Sequence, residues 1–263
     1  MSLNIERIAS LLERAGENII LPAFHHTAAA NIKADGSVVT EVDLACQQFI
    51  EDGLKDLGPD TAFLSDEMTA AEQHRRLGDS GGRYWCLDPL DGTTNFVAAL
   101  PMFASSLALV ENGRPVLACI HDPVRRETFS AIRGKGARCN GMTLHTSPVK
   151  PLKNAVGFID FKRLSRTHAI RLATGGGYRS QRNIGTCALE WAWLAAGRAQ
   201  FIIHGRQKLW DYAAGALLVS EAGGIVSDFD DADPFARVQM DSSIIAAADA
   251  DTHQALRQLL AAA

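Results

Sequence analysis

The chain has 263 residues, of which 47% are hydrophobic and 21% are charged. It is therefore long enough to bury a substantial core, and its composition gives no sign of disorder. The formal net charge is −4 and the pI is about 6.1, which excludes nucleic-acid binding through a bulk excess of positive charge.

The five cysteines are dispersed along the chain and form no Cys-x-x-Cys pair. This pattern predicts reduced thiols in a cytoplasmic protein and offers no zinc site. The first residues lack a basic segment followed by an apolar run, so we expect no signal peptide. No apolar stretch approaches the roughly 20 residues that a membrane span needs, so we expect no membrane contact.

The first third of the chain predicts two helices and two short strands. Apolar residues at helical spacing indicate a helix from Ile5 to near Pro22, followed by a polar loop over residues 31–37. Thr40 is expected to cap a second helix that runs through Leu54, with Asp43 in its first turn. Short apolar runs at residues 61–64 and 84–87 predict buried strands.

The remaining elements change character along the chain. Residues 103–110 and 115–121 predict a hairpin that turns at Asn112-Gly113, and residues 127–132 predict a further strand. The second half alternates, with strands near 155–159, 200–204, 224–228 and 243–248 and helices near 166–173, 187–197, 211–222 and 251–261. Hairpins followed by alternation predict an α/β fold of layered sheets and helices, not one doubly wound sheet.

We expect one domain over residues 1–263, with an N-terminal α+β half to about residue 150 and a C-terminal α/β half from about residue 151.

Acidic residues follow the two predicted strands directly. Asp66 and Glu67 come after the first strand, Asp88 comes after the second, and Asp91 lies three residues further on. Strand ends are where α/β proteins gather ligand groups, and converging carboxylates repel each other unless a cation lies among them. Oxygen ligands of this kind suit Mg²⁺.

The residues that follow Asp91 also allow a phosphate-binding turn. Gly92, Thr93 and Thr94 lie at the start of a predicted helix, where free backbone N–H groups favour an anion. An isolated Asp-Gly-Thr is more often an ordinary turn and helix cap. The longer string around it changes that interpretation.

Residues 88–96, Asp-Pro-Leu-Asp-Gly-Thr-Thr-Asn-Phe, resemble the metal-binding signature of the inositol monophosphatase family. Residues 210–215, Trp-Asp-Tyr-Ala-Ala-Gly, followed by Glu-Ala-Gly-Gly at 221–224, are similar to its second signature. Residues 33–43, which begin with Lys33, resemble the mobile first loop of that family. The three motifs occur in the family's order. The resemblance implies an αβαβα sandwich of the inositol monophosphatase/fructose bisphosphatase type and a Mg²⁺-dependent phosphomonoesterase.

The resemblance also implies a site with two or three Mg²⁺ ions. The residues that would hold them are Asp43, Glu67, Asp88, the carbonyl of Leu90, Asp91 and Asp211. Glu67, Thr93 and Asp43 would act as catalytic residues that orient the attacking water and accept its proton.

The substrate is less well defined than the reaction. The residues implied to bind it are Asp91, Gly92, Thr93, Thr94, Gly185, Thr186, Cys187, His204, Arg206 and Lys208. His204 stands where members that hydrolyse inositol phosphates carry a glutamate that accepts hydrogen bonds from sugar hydroxyls. Arg206 and Lys208 favour a second anionic group on the substrate, although both could equally face solvent or a dimer partner.

The expected activity is therefore hydrolysis of a small phosphate ester in the manner of an inositol-1-monophosphatase. Histidinol phosphate, adenosine 3′,5′-bisphosphate, fructose 1,6-bisphosphate and NADP remain alternative substrates. A regulatory or binding protein that keeps the fold is the alternative from another class. The resemblance further implies a homodimer and sensitivity to lithium.

Overall fold

The computed structural model describes residues 4–24, 30–32, 38–57, 61–79, 81–237 and 239–261. Of the predicted loop over residues 31–37, Asn31 and Ile32 belong instead to a short strand, and residues 33–37, including Lys33, lie outside the described residues. The helices are α1 (Ile5–Ala15), α2 (Leu21–Phe24), α3 (Glu41–Lys55), α4 (Ala70–Asp79), α5 (Thr93–Val97), α6 (Arg166–Thr174), α7 (Cys187–Ala195), α8 (Leu209–Glu221) and α9 (Ala250–Ala261). A π-helical turn, Gly16–Ile20, joins α1 to α2, and 3₁₀ turns occur at Leu152–Asn154 and Phe161–Arg163.

The strands belong to three sheets. They are β1 (Ala30–Ile32), β2 (Val38–Thr40), β3 (Ala62–Ser65), β4 (Arg83–Asp91), β5 (Ala104–Glu111), β6 (Arg114–Asp122), β7 (Glu127–Ile132), β8 (Ala137–Cys139), β9 (Met142–Thr143), β10 (Val156–Asp160), β11 (Ser180–Arg182), β12 (Phe201–Lys208), β13 (Ile225–Ser227) and β14 (Asp241–Ala247). Strands β3 to β9 form a seven-stranded sheet in chain order, and a five-stranded sheet has the order β11-β10-β12-β14-β13. The short pair β1-β2 is separate.

Three apolar clusters show how the layers stack. Helices α1 and α3 cover one face of the seven-stranded sheet, where Trp85 and Leu87 of β4 point. Tyr84 and Cys86 point to the other face, against α7 and α8, which also contact the five-stranded sheet. Helices α6 and α9 cover the outer face of that second sheet. The layers therefore run helix, sheet, helix, sheet, helix, which confirms the expected αβαβα sandwich.

Several predicted elements are confirmed almost to the residue. The strand at 127–132 is β7, and the helices expected near 166–173 and 251–261 are α6 and α9. The hairpin turns at Asn112 and Gly113, whose φ angles of 51° and 77° are left-handed. This is the backbone that an Asn-Gly pair adopts most readily. All five cysteines are free thiols, as predicted. None of the described helices is long and apolar enough to cross a membrane.

Strands β4 and β12 continue several residues beyond their predicted ends, and both contain an irregularity. Strand β4 continues through Asp91, with a register shift against β5 between Asp88 and Asp91. Strand β12 continues to Lys208, with a shift against β14 between His204 and Gln207. A bulge allows a strand to carry on past residues whose pattern no longer alternates. Helix α4 was not predicted, because its exposed sequence has few apolar residues to reveal a period.

The contact between α7 and α8 depends on a glycine. Trp191 of α7 is fully buried, and a Cβ at Gly215 of α8 would lie 2.2 Å from its Cγ. We predict that Gly215→Ala lowers the free energy of unfolding by about 1–3 kcal/mol, because overpacking forces one helix to move. Gly78→Ala in α4 is the matched control, since nothing lies within 4 Å of its Cβ. Urea unfolding should show the control unchanged or stabilised by about 0.5–1 kcal/mol; equal midpoints for the two variants would contradict this account of the packing.

Candidate active site

Strand β4 carries two site carboxylates on one side of the sheet. Residues three apart in a regular strand face opposite sides, so Asp88 and Asp91 would normally diverge. Asp88 pairs with Ser106 and Asp91 pairs with Ala104, so three steps on β4 match two steps on β5. The extra residue is a β-bulge at Pro89-Leu90, and it turns both carboxylates to the same face. Proline suits the bulge because it has no N–H group to pair.

Asp91 ties the seven-stranded sheet to the helices of the C-terminal half. Its Oδ2 accepts a hydrogen bond from Oγ1 of Thr186 at 2.7 Å and another from the backbone N–H of Ala188 at 2.5 Å. Both donors lie at the start of α7, where Thr186 is the N-cap residue. A carboxylate at a helix N-terminus is favoured by the free N–H groups and by the helix dipole. The contact fixes the orientation of Asp91.

Asp211 comes from the first turn of α8. The sequence predicted that this helix begins at Asp211, but it begins at Leu209, because Lys208 acts as the N-cap residue. Asp211 is therefore the third residue of the helix, and its Oδ2 accepts a hydrogen bond from the backbone N–H of Lys208 at 3.1 Å. Asp88 is held in a similar way, since its Oδ1 accepts one from the N–H of Leu90 at 3.1 Å.

These three carboxylates converge. One oxygen from each of Asp88, Asp91 and Asp211 lies within 4.8 Å of the others. Burial, followed by repulsion from neighbouring acids, raises the pKa of Asp88 and of Asp211 well above the ordinary value. Burial also raises the pKa of Asp91, to about 6. Such a cluster is unfavourable in the ionised form unless a cation neutralises it, so its donors fit a hard divalent ion.

Thr93 and Asp43 are in contact, as the resemblance implies. Oγ1 of Thr93 lies 3.0 Å from Oδ1 of Asp43 and 3.0 Å from the carbonyl oxygen of Leu90. Asp43 caps α3, where its Oδ2 accepts hydrogen bonds from the N–H and the hydroxyl of Thr40. Burial raises the pKa of Asp43, even though these hydrogen bonds lower it. The hydroxyl of Thr93 is thereby held beside the carboxyl group of Asp43.

The turn after β4 is built for a close approach. Gly92 has a left-handed φ of 94°, and a Cβ there would lie 2.9 Å from the carbonyl oxygen of Met102. Nδ2 of Asn95 donates to the carbonyl oxygens of Met102 and Ile184, at 2.8 Å and 2.7 Å. Asn95 therefore fastens the start of α5 to the segment that contains Gly185. The two candidate phosphate-binding and sugar-binding segments are held side by side.

A cavity of about 730 Å³ opens over the three carboxylates. It is large enough for a small-molecule substrate. The predicted site residues that line it are Asp88, Leu90, Asp91, Gly92, Thr93, Thr94, Gly185, Thr186, Cys187, His204, Arg206, Lys208 and Asp211. Asp43 and Glu67 are not among the described residues that line it, although the charge of Glu67 contributes to the raised pKa of Asp88.

Sequence reasoning missed several residues of this cavity. Those with ionisable or amide side chains are Asp66, Asn95, Asp160, Lys162, Arg163, Asn183 and Glu190. Asp66 was considered together with Glu67 as an acid that follows β3, but the resemblance assigned only Glu67 to the site. Asp160 ends a predicted strand, which is the position that drew attention to Asp88. Glu190 and Arg163 gave no signal, because a helical pattern and a turn explain them equally well.

Cys187 also lines the cavity, but it is no nucleophile. Burial, and then the charges of Asp211 and Asp91, raise the pKa of its thiol well above the usual value. A thiol that stays protonated at neutral pH does not attack an ester. Its role is to shape the pocket beside Thr186.

Comparisons with known proteins identify the family of this chain. A family model described as the inositol monophosphatase family matches residues 3–263. The "Fructose-1,6-bisphosphatase/inositol-1-monophosphatase" of Thermotoga maritima is 37% identical over 202 residues, which cover 73% of this chain and 72% of that protein. The "Nus factor SuhB" of Escherichia coli (strain K12) is 36% identical over 229 residues, or 84% of each chain.

A solved structure is similar over nearly the whole chain. The structure of a Thermotoga maritima IMPase superposes with a TM-score of 0.85 at 30% sequence identity, covering 97% of this chain and 96% of that one. The family model spans the chain from residue 3 to its last residue, and the chain belongs to the inositol monophosphatase family.

Proposed function

We propose that this protein is a Mg²⁺-dependent phosphomonoesterase that hydrolyses a small phosphate ester of the inositol 1-phosphate type. The observation that carries the proposal is the convergence of Asp88, Asp91 and Asp211 from two halves of the fold. The names of the Thermotoga relatives support the same activity. The chain also retains every predicted acidic ligand, which favours a phosphatase over a binding protein that has lost catalysis.

The metal would be held directly by Asp88, Asp91 and Asp211. The further predicted ligands are the carbonyl of Leu90 and the side chains of Glu67 and Asp43, and the whole set would hold two to three ions. When bound, Mg²⁺ activates a water for attack at neutral pH and stabilises the charge that develops on the phosphoryl oxygens.

Thr93 and Asp43 are placed to handle the proton of that water. The Thr93 hydroxyl has one proton and two acceptors within 3.0 Å, the Asp43 carboxylate and the Leu90 carbonyl. It can therefore accept a hydrogen bond on one side while it donates on the other. Glu67 stays the alternative acceptor that the sequence predicted.

The start of α5 would bind the phosphate itself. No side chain caps this helix at Gly92. The first-turn N–H groups of Thr93 and Thr94, which both line the cavity, would therefore donate hydrogen bonds to the phosphate. Glycine is needed at residue 92 because its backbone is left-handed and a Cβ there would meet the carbonyl oxygen of Met102.

The leaving-group side of the cavity contains a set of cations. Lys162, Arg163 and Arg206 line it and make no ion pair with a carboxylate in the described parts of the chain. Lys208 has Asp241 at 3.9 Å. The comparisons favour a monophosphate ester as the principal substrate, and the second anionic group predicted from Arg206 and Lys208 stays a prediction. We test this second-anion prediction because the Thermotoga relative is named a fructose-1,6-bisphosphatase as well as an inositol-1-monophosphatase.

We further propose a cytoplasmic homodimer that lithium inhibits. Five free cysteines suit a reducing compartment. The exposed apolar side chains of Val97 and Leu100, next to the site, suit a surface that a second copy covers.

Replacing one metal-binding carboxylate should separate activity from stability. The folded-state pKa of Asp211 lies above its unfolded value, so its ionisation costs stability at neutral pH in the metal-free protein. We predict that Asp211→Asn lowers Mg²⁺-dependent phosphate release at least about 100-fold. The same variant should raise the metal-free Tm by about 2–4 °C.

The control for this prediction is Asp230→Asn, which removes the same charge from an exposed position. Differential scanning fluorimetry with and without Mg²⁺ should show that the stabilisation by the metal is lost in Asp211→Asn and kept in the control. A variant that keeps both the activity and the Mg²⁺-induced rise in Tm would contradict the assignment of Asp211 as a ligand.

Glu190 gives a prediction that depends on pH. Burial raises its pKa to about 8, while its Oε1 accepts a hydrogen bond from the N–H of Ile184 at 3.1 Å. Its favourable contribution is complete below the unfolded pKa and declines as the pH rises towards 8. Glu190→Gln should therefore gain stability relative to the wild type between pH 5 and pH 8, by at least about 1 kcal/mol.

Urea unfolding at the two pH values measures this difference. Glu6→Gln on the exposed side of α1 is the control for the loss of one carboxyl group. A Glu190→Gln difference that is constant between pH 5 and pH 8 would show that the carboxyl group ionises normally.

The second-anion prediction is tested with Arg206→Ala. If Arg206 binds a second phosphate, the variant should lower kcat/KM for fructose 1,6-bisphosphate about 10-fold, because a charge-assisted contact is lost. It should change kcat/KM for inositol 1-phosphate less than about 2-fold. Arg237→Ala, at another exposed position, is the control. Equal effects on the two substrates would exclude a second-anion role for Arg206.

A further inference from the structure

Two side chains from neighbouring strands form a dyad in the wall of the cavity. Asp160 ends β10, and His204 is its direct register partner on the parallel strand β12. Nε2 of His204 lies 3.3 Å from Oδ2 of Asp160. The His204 side chain is 5% exposed and that of Asp160 is 17% exposed, and both line the cavity. They lie on the five-stranded sheet and line the same cavity as Asp88.

The hydrogen bonds around the dyad fix its protons. The backbone N–H of Arg206 donates to Nδ1 of His204 at 3.2 Å. Because Nδ1 is an acceptor, the ring proton of the neutral imidazole lies on Nε2, which therefore donates to Asp160. Oδ1 of Asp160 accepts a hydrogen bond from the N–H of Lys162 at 2.9 Å. Burial alone would raise the pKa of Asp160, but the hydrogen bonds from His204 and Lys162, with the positive charge of Arg163, hold it below the ordinary value.

The backbone is shaped to keep the two residues together. The register of β12 shifts between His204 and Gln207, and Gly205 lies in that bulge. A Cβ at Gly205 would lie 2.0 Å from the carbonyl oxygen of Arg163, so the 3₁₀ turn after Asp160 packs directly on the bulge. Only glycine permits this approach. The 3₁₀ turn cannot move away without losing this contact with Gly205, so the carboxylate of Asp160 stays beside His204.

The chemistry of the dyad restricts its ligand. An ionised carboxylate has acceptors only, so it repels phosphate and binds groups that donate hydrogen bonds. The phosphate end of the cavity is defined by Asp88, Asp91, Asp211 and the start of α5, on other elements. A group that meets Asp160 therefore belongs to the leaving alcohol, and its hydroxyls are the donors that an alcohol offers.

We propose that Asp160, positioned by His204, accepts hydrogen bonds from hydroxyl groups of the leaving alcohol and so selects esters of polyhydroxylated alcohols. This inference rests on the proposed phosphatase function. It assigns Asp160 as a specificity-determining residue and His204 as a positioning residue that acts through it. Family members that hydrolyse inositol phosphates carry a glutamate at the position of His204. In this chain a carboxylate lies on the neighbouring strand instead, at Asp160.

The test compares two substrates that differ in the leaving group. Inositol 1-phosphate offers hydroxyl donors, and p-nitrophenyl phosphate offers none. Asp160→Asn keeps the shape and an acceptor for the N–H of Lys162 but loses the charge. We expect kcat/KM for inositol 1-phosphate to fall about 10- to 100-fold, mainly through KM, because hydrogen bonds to a charged acceptor are lost. The value for p-nitrophenyl phosphate should stay within about 2-fold.

Variants at His204 test the positioning role. His204→Gln retains a donor to Asp160 and should keep most of the preference for inositol 1-phosphate, whereas His204→Phe should lose it. Asp251→Asn, at an exposed position of α9, removes one charge as a control and should change neither substrate. A His204→Phe variant with the full preference would show that His204 does not position Asp160.

The outcomes separate this inference from the function on which it rests. Equal losses on both substrates in Asp160→Asn, or no loss on either, would overturn the specificity role while the phosphatase function stands. The same selective loss in Asp251→Asn would assign the effect to net charge and overturn the inference too. A wild-type protein that hydrolyses neither ester with Mg²⁺ would overturn the proposed function and this inference together.

Discussion

Repulsion among buried carboxylates is the constraint around which this site is organised. Asp88, Asp91 and Asp211 bring oxygens within 4.8 Å of one another in the wall of the cavity, where Asp88 is buried and the other two are partly buried. Each of them accepts a hydrogen bond from a backbone N–H, which fixes its direction. Those local bonds do not remove the repulsion, because the pKa values remain raised. The protein therefore stores unfavourable energy that a cation would release.

The fold holds this arrangement by joining its two sheets through the site. The β-bulge in β4 aims two carboxylates at one face, and the start of α7 clamps Asp91 from the other half of the chain. Asn95 adds a second bridge to the segment that contains Gly185. Helices α7 and α8 lie between the sheets, so their packing decides the relative position of Asp91 and Asp211. The packing of the core therefore determines the geometry of the proposed metal site.

Much of the fold could be predicted from sequence, because alternation and turn residues are local signals. The hairpin at Asn112-Gly113 and the capping role of Thr40 are examples. Strand-end acids drew attention to Glu67, Asp88 and Asp91 in the same way, whereas Asp43 and Asp211 were implied only by the resemblance to the family. The bulges were not predictable, since they depend on pairing with a partner strand. The dyad of Asp160 and His204 was missed for that reason: the two residues are 44 positions apart and meet only through the register of β10 and β12. The loss of an acid at position 204 looked like a change of substrate, although a neighbouring strand supplies a carboxylate.

The most direct test of the account is to locate the metal. Crystals soaked in Mn²⁺, which takes the same oxygen ligands as Mg²⁺, should show anomalous density between the carboxylates of Asp88, Asp91 and Asp211. Asp88 should contact more than one ion if it bridges them. Anomalous density that is absent there, or a lysine or arginine side chain that fills the cluster in its place, would contradict the claim that these carboxylates exist to hold cations.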